Sequence, residues 1–500
     1  MEVFGDYITL SVALLLLLAM GLALAFEFVN GFHDTANAVA TVIYTNSLRP
    51  VVAVVWSGFW NLAGVLYSNG AVAFAITALL PVELILHVGS AAGLAMVLSL
   101  LVSAIIWNLG TWYRGLPASS SHTLIGSIMG VGLANSLMSK GHVFGEGVNW
   151  AKASEVGVSL ITSPIVGFGC AALLLLLSKT TIKRPDLFRA PARGVAPPMW
   201  IRGLLILTCT GVSFAHGSND GQKGMGLIML ILVGVLPGVY ALNLGTPQPD
   251  IAQIVISAQR ANQTLEADPI GLAEGKDPLS SADSESELSD YLKTTGVASA
   301  KTFRALTVVN STIAERLEGK SSLAGLPHHA RQELRSDIYL AAETITKLNR
   351  QGLLARFEDR GSLLRYATEL NGITRFIPVW VKVCVAFTLG LGTMIGWKRI
   401  VVTVGEKIGK EHLSYAQGAS AELVAMTTIG IADTFGLPVS TTHVLSSGVA
   451  GTMAANRSGL QMETLRDIAL AWLLTLPMSM FIGGALFAFA LNIIVRLGMR

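Results

Sequence analysis

The sequence predicts an all-α, polytopic membrane protein with about ten to twelve transmembrane helices, some of them broken or re-entrant. The composition is the first reason, because 52% of the 500 residues are hydrophobic and 13% are charged, against about 25% charged in a soluble domain. The apolar residues also form blocks as long as the roughly 20 residues that a bilayer crossing needs. Finally, one sequence unit occurs twice, which predicts two related halves.

The first apolar block excludes a soluble globular protein. Between residues 11 and 110 only four charged side chains occur: Glu27, Asp34, Arg49 and Glu83. The apolar run is preceded by Glu2 and Asp6, with no Lys or Arg, which is atypical of a signal peptide. We therefore expect residues 8–29 to be a retained first span. The net charge of +3 gives no reason to expect a nucleic-acid partner.

Twelve apolar segments are candidates to span or enter the membrane: residues 8–29, 34–47, 51–80, 86–113, 117–138, 156–178, 201–218, 221–243, 376–397, 413–435, 437–455 and 466–497. Some of them are expected to pair as halves of one broken span. They divide the chain into a first membrane repeat, a basic linker, the start of a second repeat, a soluble insert and the remainder of the second repeat: residues 1–178, 179–200, 201–244, 245–375 and 376–500.

Loop charges predict which segments face the cytoplasm. The linker at residues 179–200 is rich in Lys, Arg and Pro, and the loop at residues 398–411 carries four cations. Positively charged loops stay on the cytoplasmic side. If residues 376–397 are a single span, the insert lies on the opposite face.

The insert has two predicted parts. Its first part contains Ser280–Asp290, which reads SSADSESELSD and predicts a flexible segment. Its later part has apolar residues at helical spacing, which predicts a small helical subdomain. The residues with this spacing are Leu334, Ile338, Leu340, Ala341, Ile345 and Leu348.

The duplicated unit is the most informative feature. Residues 115–130 read GLPASSSHTLIGSIMG, residues 436–451 read GLPVSTTHVLSSGVAG, and seven of sixteen positions are identical. An earlier pair, Phe28–Asp34 and Phe214–Asp220, shares its Phe, Gly and Asp. Residues 69–90 contain no Lys or Arg, unlike the corresponding basic loop of the second half. This asymmetry predicts inverted repeats, which in secondary transporters hold substrate near the membrane midplane.

Asp34 and Asp220 are carboxylates within apolar sequence. Such a group costs at least ~2.5–3.5 kcal/mol on insertion scales, so we expect each to bind a cation or a proton, or to pair with Lys223. Gly31 and Gly217 precede them and are expected to let each helix unwind, which would free backbone carbonyls for a hard cation such as Na⁺ and N–H groups for an anion.

The hydroxyl triplets Ser119–Ser121 and Ser440–Thr442 predict an anion site. They follow Pro117 and Pro438, and proline favours the first turn of a helix. Hydroxyls beside the exposed N–H groups of a helix N-terminus suit phosphate or sulfate. Simple N-capping of two helices is the alternative.

Several further side chains are candidates for proton handling or support. His122 and His443 follow the triplets and are expected to orient a hydroxyl, donate to the anion, shuttle a proton or serve only structure. His33 and His216 flank the Asp elements, where Gln222 and Lys223 replace the Ala36 and Asn37 of the first half. The remaining candidates are apolar-embedded acids without support from the repeat: Glu27, Glu83 and Glu422.

With these motifs, the chain resembles the PiT family of inorganic phosphate transporters, in particular its bacterial low-affinity branch. The resemblance extends over nearly all of the membrane part. It rests on four segments: NGFHDTANA at residues 30–38, AHGSNDGQKGMG at 215–226, SSSH at 119–122 and STTH at 440–443.

The resemblance implies a secondary transporter in the bacterial inner membrane that imports inorganic phosphate with a coupling cation and without a cofactor. In the bacterial branch the cation is usually H⁺ and the substrate is often a neutral divalent-metal–phosphate complex, whereas other branches use Na⁺ and some relatives carry sulfate. Phosphate is then expected at Ser119, Ser120, Ser121, Ser440, Thr441, Thr442, Asn37 and Lys223. The coupling ion is expected at Asp34, Asp220, Asn219 and His33, with support from His122, His443, Gly31, Gly217 and Gln222.

The two Asp elements differ from each other, which favours proton coupling. His33 stands where Asn is common in the family, and Gln222-Lys223 replaces Ala-Asn. An intramembrane serine hydrolase would need one Ser–His pair with an oxyanion hole, and duplication of the whole unit argues against it. An anion channel would line its pore with basic groups rather than Asp. The sequence leaves a homodimer, the stoichiometry and the choice between phosphate and sulfate open.

Overall fold

The computed structural model describes residues 2–3, 6–7, 9–80, 90–138, 145, 148–191, 195–267, 279–293 and 296–496. At residues 2–3, 6–7, 35–37 and 152 this description covers the backbone alone. Its described part is helical except for two short antiparallel strands near the N-terminus, β1 (Glu2–Val3) and β2 (Asp6–Tyr7). The predicted all-α class is therefore confirmed.

The described residues of the first half form six helices: α1 (Leu10–Tyr44), α2 (Pro50–Tyr67), α3 (Ala71–Thr77), α4 (Ala91–Tyr113), α5 (Ser120–Met138) and α6 (Trp150–Thr181). The local sequence explains where two of these helices begin. Ser90 caps α4 by accepting a hydrogen bond from the Gly93 N–H, and Pro50 occupies the first turn of α2.

The second half begins with α7 (Met199–Val235) and the short α8 (Pro237–Tyr240). The insert follows, and apart from residues 268–278 and 294–295 it contains five helices: α9 (Gln248–Glu266), α10 (Ser281–Leu292), α11 (Ala300–Leu317), α12 (His328–Arg350) and α13 (Arg360–Thr374). The second half then resumes with α14 (Val379–Met394), α15 (Lys398–Val402), α16 (Tyr415–Thr434), α17 (Thr441–Asn456) and α18 (Met462–Arg496). A π-helical turn at Thr403–Lys407 continues α15.

The halves pack reciprocally. Helix α5 packs on α18 while its counterpart α17 packs on α6. In the same way α1 packs on α14 and α7 on α2, and α1 contacts α4 as α7 contacts α16. Such an exchange of partners is what a two-fold relation between the halves produces. The inverted orientation of the repeats in the membrane stays a prediction.

The repeated Gly-Leu-Pro segment forms the same turn twice. Gly115 and Gly436 have φ of +67° and +63°, the left-handed region that favours glycine. The N–H of Gly115 donates to Trp112 O (2.8 Å) and that of Gly436 to Asp433 O (3.0 Å), which ends α4 and α16 alike. The prediction that Pro117 and Pro438 lie in the first helical turn is wrong, because α5 and α17 begin three residues later.

Helices α1 and α7 run without interruption through the glycines that were expected to unwind them. A Cβ on Gly31 would lie 2.4 Å from Leu389 O of α14, and one on Gly217 would lie 2.1 Å from Asn61 O of α2. The unwinding prediction is therefore wrong. The glycines instead allow close helix crossings. Helix α1 runs from the predicted segment 8–29 into 34–47, and α7 runs from 201–218 into 221–243.

Six described helices are long and apolar enough to cross a membrane, namely α1, α2, α4, α6, α7 and α18. The number rises to seven if α13 and α14, which meet at a 73° bend, count as one span. Helices α5, α14, α16 and α17 are shorter or more polar. The finding supports a multi-pass membrane protein, and the count of ten to twelve spans stays a prediction.

The insert has a hydrophobic core of its own, to which α9 to α13 all contribute. All six residues predicted from helical spacing are buried in α12, so this helix forms where the spacing predicted one. The division of the chain into repeats, linker and insert stays a prediction. The flexible segment predicted at Ser280–Asp290 is wrong: Ser280 caps α10 by accepting from the Asp283 N–H (3.1 Å), and Leu288 and Tyr291 anchor the helix in the core.

Two arginines of α12 fasten the insert to α8 and to the residue that follows it. Arg331 donates to the backbone oxygen of Gly238, and Arg335 donates to that of Ala241 (2.9 Å). The two strands of chain that enter and leave the insert also meet, since the Asn243 N–H donates to Ile373 O (2.8 Å). The insert and the basic loop at residues 398–411 lie at opposite ends of α14.

Candidate functional site

The two predicted carboxylates meet at the start of α5. Asp34 of α1 and Asp220 of α7 are both buried. The Ser120 hydroxyl lies 3.2 Å from Asp34 Oδ2 and 3.4 Å from Asp220 Oδ2, so it can donate to either. The long α1 and α7 thus deliver one acid from each half to a single centre.

The start of α17 reaches the same centre. The Thr442 hydroxyl donates to Asp34 Oδ1. The Ser121 hydroxyl donates to Val439 O (2.9 Å), which joins the starts of α5 and α17. Two helix N-termini therefore converge on the carboxylates, and helix N-termini favour negative charge.

Two basic side chains complete the centre. His216 Nε2 lies 3.7 Å from Asp34 Oδ2 and 3.5 Å from Asp220 Oδ2. Its Nδ1 donates to Asn61 Oδ1 (2.8 Å), which fixes the ring. Lys223 Nζ lies 2.6 Å from Asp220 Oδ2, so the expected pairing of this lysine with an Asp is present in the structure. All four groups are buried.

This donor set fits a cation or a proton. Oxygens of Asp34 and Asp220 and a ring nitrogen of His216 lie within 4.8 Å of one another. Carboxylate oxygens suit hard cations, and an imidazole adds affinity for transition metals or a titratable proton. The Lys223 ammonium pairs with Asp220 and would compete with a cation for that carboxylate. A cation would therefore be held mainly by Asp34 and His216.

The first hydroxyl of each triplet is a helix cap. Ser119 accepts from the His122 N–H (3.2 Å) and Ser440 from the His443 N–H (3.1 Å). The N-capping alternative thus describes the position of these two serines, while Ser120 and Thr442 face the carboxylates. Thr441 is buried in the first turn of α17. The phosphate roles of all six residues stay predictions.

The two histidines of the repeat stack on each other. The His122 and His443 rings lie 4.6 Å apart at 34°, and His443 stacks in turn on Trp472 at 4.1 Å. Trp472 donates from Nε1 to Pro117 O (2.8 Å), so this column braces the start of α5. The geometry agrees with the supporting role expected for both histidines.

The other predicted residues lie around the centre. His33 Nε2 is 3.1 Å from the Thr111 hydroxyl, and Asn219 Nδ2 donates to Leu437 O (3.2 Å). Gln222 accepts from the Val72 N–H at the start of α3 and donates to Asp433 Oδ1 (2.7 Å). The side chain of Asn37 lies outside the described residues.

Two of the three apolar-embedded acids are buried beside this region. Glu27 accepts from Asn30 (3.4 Å) and packs against the backbone of Gly224. Glu422 accepts from two hydroxyls of different helices, Thr41 and Thr208. Glu83 lies outside the described residues.

From the sequence, His216 was named only as a side chain that could handle a proton, and it was assigned to neither the phosphate site nor the coupling-ion site. Its distance of four residues from Asp220 puts both on one face of a helix, and this was the available signal. Its approach to Asp34 required the packing of α1 against α7, which no local pattern reveals.

Comparison with known proteins identifies the family. The model of the phosphate transporter family matches residues 30–483, which include every residue of this centre. The chain belongs to the phosphate transporter family. Members of this family are transporters and not enzymes.

The relatives and a solved structure agree with this family. The chain is 42% identical over 495 residues to the low-affinity inorganic phosphate transporter PitB of Escherichia coli K12, covering 96% of this chain and 97% of that one. It is 28% identical to a probable low-affinity inorganic phosphate transporter of Bacillus subtilis, covering 94% and 96%. The solved structure of a sodium-dependent phosphate transporter shares the fold at a TM-score of 0.52 and 19% identity, covering 96% and 100%.

Proposed function

We propose that this member of the phosphate transporter family imports inorganic phosphate by secondary active transport with H⁺ as the coupling ion. One observation carries the proposal: the hydroxyls at two helix N-termini are engaged by Asp34 and Asp220, and His216 lies beside both carboxylates. An incoming phosphate and the carboxylates compete for the same donors.

Charge balance explains why the anion must arrive with a cation. Phosphate would add negative charge to a buried centre that holds two carboxylates, one lysine and one histidine. Burying net charge is unfavourable, so the anion enters together with a neutralising cation. A proton on Asp34 would remove the charge that accepts from Ser120 and Thr442, and would so release these two hydroxyls to donate to phosphate.

The differences between the halves support H⁺ over Na⁺. His216 and Lys223 occupy the positions of Asn30 and Asn37 in the first half, so two amide oxygens are replaced by an imidazole and an ammonium. Na⁺ needs oxygen ligands, whereas H⁺ needs a titratable group. Na⁺ coupling is the second candidate, and it is favoured by the likeness in fold to a phosphate transporter that is sodium-dependent.

The substrate itself is proposed to be phosphate, free or as a neutral divalent-metal–phosphate complex. A metal that accompanies phosphate would neutralise it before entry, and Asp34 and His216 offer ligands for the metal within the centre. Sulfate is the alternative anion, since hydroxyl and N–H donors alone do not distinguish two tetrahedral oxyanions.

Uptake into proteoliposomes tests these proposals together. Labelled phosphate should accumulate when the interior is alkaline in Na⁺-free buffer, and an uncoupler should abolish accumulation. Accumulation that requires an inward Na⁺ gradient and ignores the pH difference would contradict H⁺ coupling. Competition by sulfate, and a series with and without Mg²⁺, identify the transported species.

A further inference from the structure

A basic cleft opens beside the turn that joins α4 to α5. Its volume is about 640 Å³. Four cations from both halves line it: Arg114, Lys398, Arg399 and Lys407. Trp112 and Trp397 contribute to its walls, and none of its lining residues is acidic. We refer to it as the basic cleft.

The four cationic side chains of the basic cleft are available to bind an anion. The Arg399 guanidinium lies 5.0 Å over the Trp112 ring and donates to Tyr113 O (2.7 Å), which fixes its plane while leaving further N–H groups to bind a ligand. Arg114, Lys398 and Lys407 are exposed. Within the described part of the chain, none of the four takes part in an ion pair with a carboxylate.

One aromatic contact separates the basic cleft from the helix turn that carries Asp34. The Phe32 ring, two residues before Asp34, lies 5.0 Å from the Trp112 ring. Gly396, whose backbone oxygen accepts from Trp112 Nε1 (2.8 Å), also packs against Phe32. The Thr403 hydroxyl donates to Gly115 O (2.8 Å), which ties the floor of the basic cleft to the turn before α5.

The equivalent place in the other half carries no such charge. By the repeat, Phe32 and Trp112 correspond to Ser218 and Asp433, whose side chains form a hydrogen bond of 2.6 Å. The turn glycine packs on the Arg399 backbone in one half and on Ala71 in the other. The basic cleft is therefore specific to one end of the molecule and is not a product of the duplication.

We propose that the basic cleft binds the phosphate group of an anion. Four cations around an open cavity, with an arginine fork among them, suit an anionic phosphate group. Inorganic phosphate one contact away from the central site is one source. The headgroup of an anionic lipid is the other, because a mainly apolar groove with Trp107, Leu470 and Leu474, and with the acid Asp467 on its wall, begins at Arg114.

The test removes two proposed phosphate donors of the central site, so that binding at the basic cleft is measured separately from the proposed function. In a Ser120→Ala/Thr442→Ala background, we compare the parent with Arg114→Gln/Lys398→Gln/Lys407→Gln. Lys410→Gln is the matched control, since Lys410 is a cation of the same loop that does not line the basic cleft. The probe is the ³¹P line width of inorganic phosphate in a phosphorus-free maltoside detergent.

We expect the parent and Lys410→Gln to broaden the ³¹P line of inorganic phosphate. In the triple variant this broadening should fall by at least about threefold, because several charges act together on the anion. A second arm reconstitutes the same proteins with phosphatidylglycerol, re-extracts them and counts the retained lipid by mass spectrometry. If the parent retains phosphatidylglycerol, the triple variant does not, and neither protein broadens the ³¹P line of inorganic phosphate, then the ligand is the lipid headgroup. Equal broadening and equal retention in the triple variant and the parent would overturn the proposal.

Discussion

At the residue scale, phosphate and Asp34 are proposed to compete for the same two hydroxyls. The Ser120 and Thr442 hydroxyls, which we propose as donors to phosphate, both donate to Asp34. Hydrogen bonds to a charged group contribute about 1.5–3 kcal/mol each. In the proposed mechanism, Asp34 therefore keeps these donors from the substrate until it binds a cation or a proton.

Asp34→Asn and Asp220→Asn should each abolish coupled uptake. The amide keeps the size of the side chain but removes the charge that binds the coupling ion, so we expect accumulated phosphate to fall by at least about tenfold, in line with the loss of one charge-assisted bond. Labelled uptake in proteoliposomes measures this, with membrane insertion checked by fractionation. Normal accumulation in either variant would end its assignment to the coupling site.

His216→Asn should reduce the phosphate uptake that a pH difference drives. The change restores the amide found at the equivalent Asn30 and removes the titratable ring between the two carboxylates. We expect pH-driven accumulation to fall by about tenfold or more. His328→Asn, in the insert, is the control for the same chemical change. Undiminished pH-driven uptake in His216→Asn would exclude this histidine from the proton pathway.

The residues of the centre were partly predictable. Asp34, Asp220 and Lys223 stand out because charge is costly in apolar sequence, and Ser120 and Thr442 stand out because their segments recur. Which hydroxyl of each triplet caps its helix and which faces the acids depends on helix phase at the first turn. His216 was recognised only as a side chain that could titrate, because one of its two carboxylate neighbours, Asp34, comes from another helix.

At the element scale, glycine governs how closely helices approach. Gly31 and Gly217 occupy equivalent positions on α1 and α7 and face backbone oxygens of α14 and α2. The sequence pattern around an embedded Asp is the same whether the helix unwinds or crosses a neighbour closely. Only the neighbour, which is distant in the chain, distinguishes the two, and this is why the unwinding prediction failed.

Gly31→Ala should destabilise the packing of α1 on α14. Its Cβ would lie 2.4 Å from Leu389 O and 2.9 Å from Thr393 N, both backbone atoms that cannot move aside cheaply. Overpacking of this kind costs about 1–3 kcal/mol. We expect a lower melting temperature in detergent and reduced uptake. Gly21→Ala on the same helix is the matched control, because no neighbouring atom lies within 4 Å of the added Cβ. Equal stability of the two variants would contradict the close crossing.

At the scale of the whole molecule, the insert and the membrane part have separate cores, and contacts such as those of Arg331 and Arg335 join them. Helical spacing predicted α12 of the insert, whereas the polar run at Ser280–Asp290 gave no sign that Leu288 and Tyr291 would bury α10. Its low hydrophobicity is that of a disordered segment, and only the neighbouring helices supply the surface that orders it.

Replacing residues 244–372 with a short Gly-Ser linker should leave phosphate transport measurable. The Asn243 N–H and Ile373 O are 2.8 Å apart, so a short linker closes the gap without strain. We expect uptake within about threefold of the parent, because the central site draws no residue from the insert and surface segments tolerate such exchanges. Complete loss of uptake at normal expression would mean that the arginine contacts to α8 are needed for transport.

The isolated insert should lose stability as the pH rises through 7. Burial raises the pKa of Asp337 to about 7, against the opposing effect of Arg316. A carboxyl whose pKa is higher when folded stabilises the fold below the unfolded pKa, and this contribution disappears as the pH rises through the folded value. Asp337→Asn should raise the free energy of unfolding at pH 8 by about 1–4 kcal/mol. Denaturation of both proteins at pH 5 and pH 8 measures this, and an equal difference at both values would contradict the assignment.

The contact between α12 and α8 also has a practical consequence for imaging this molecule. A small transporter within a micelle offers few features for aligning particle images, because the detergent hides its helices. Here Arg331 and Arg335 join a folded body to residues 237–241, which follow α7 in the chain. An antibody fragment raised against the insert would therefore serve as a fiducial mark for aligning the particle images.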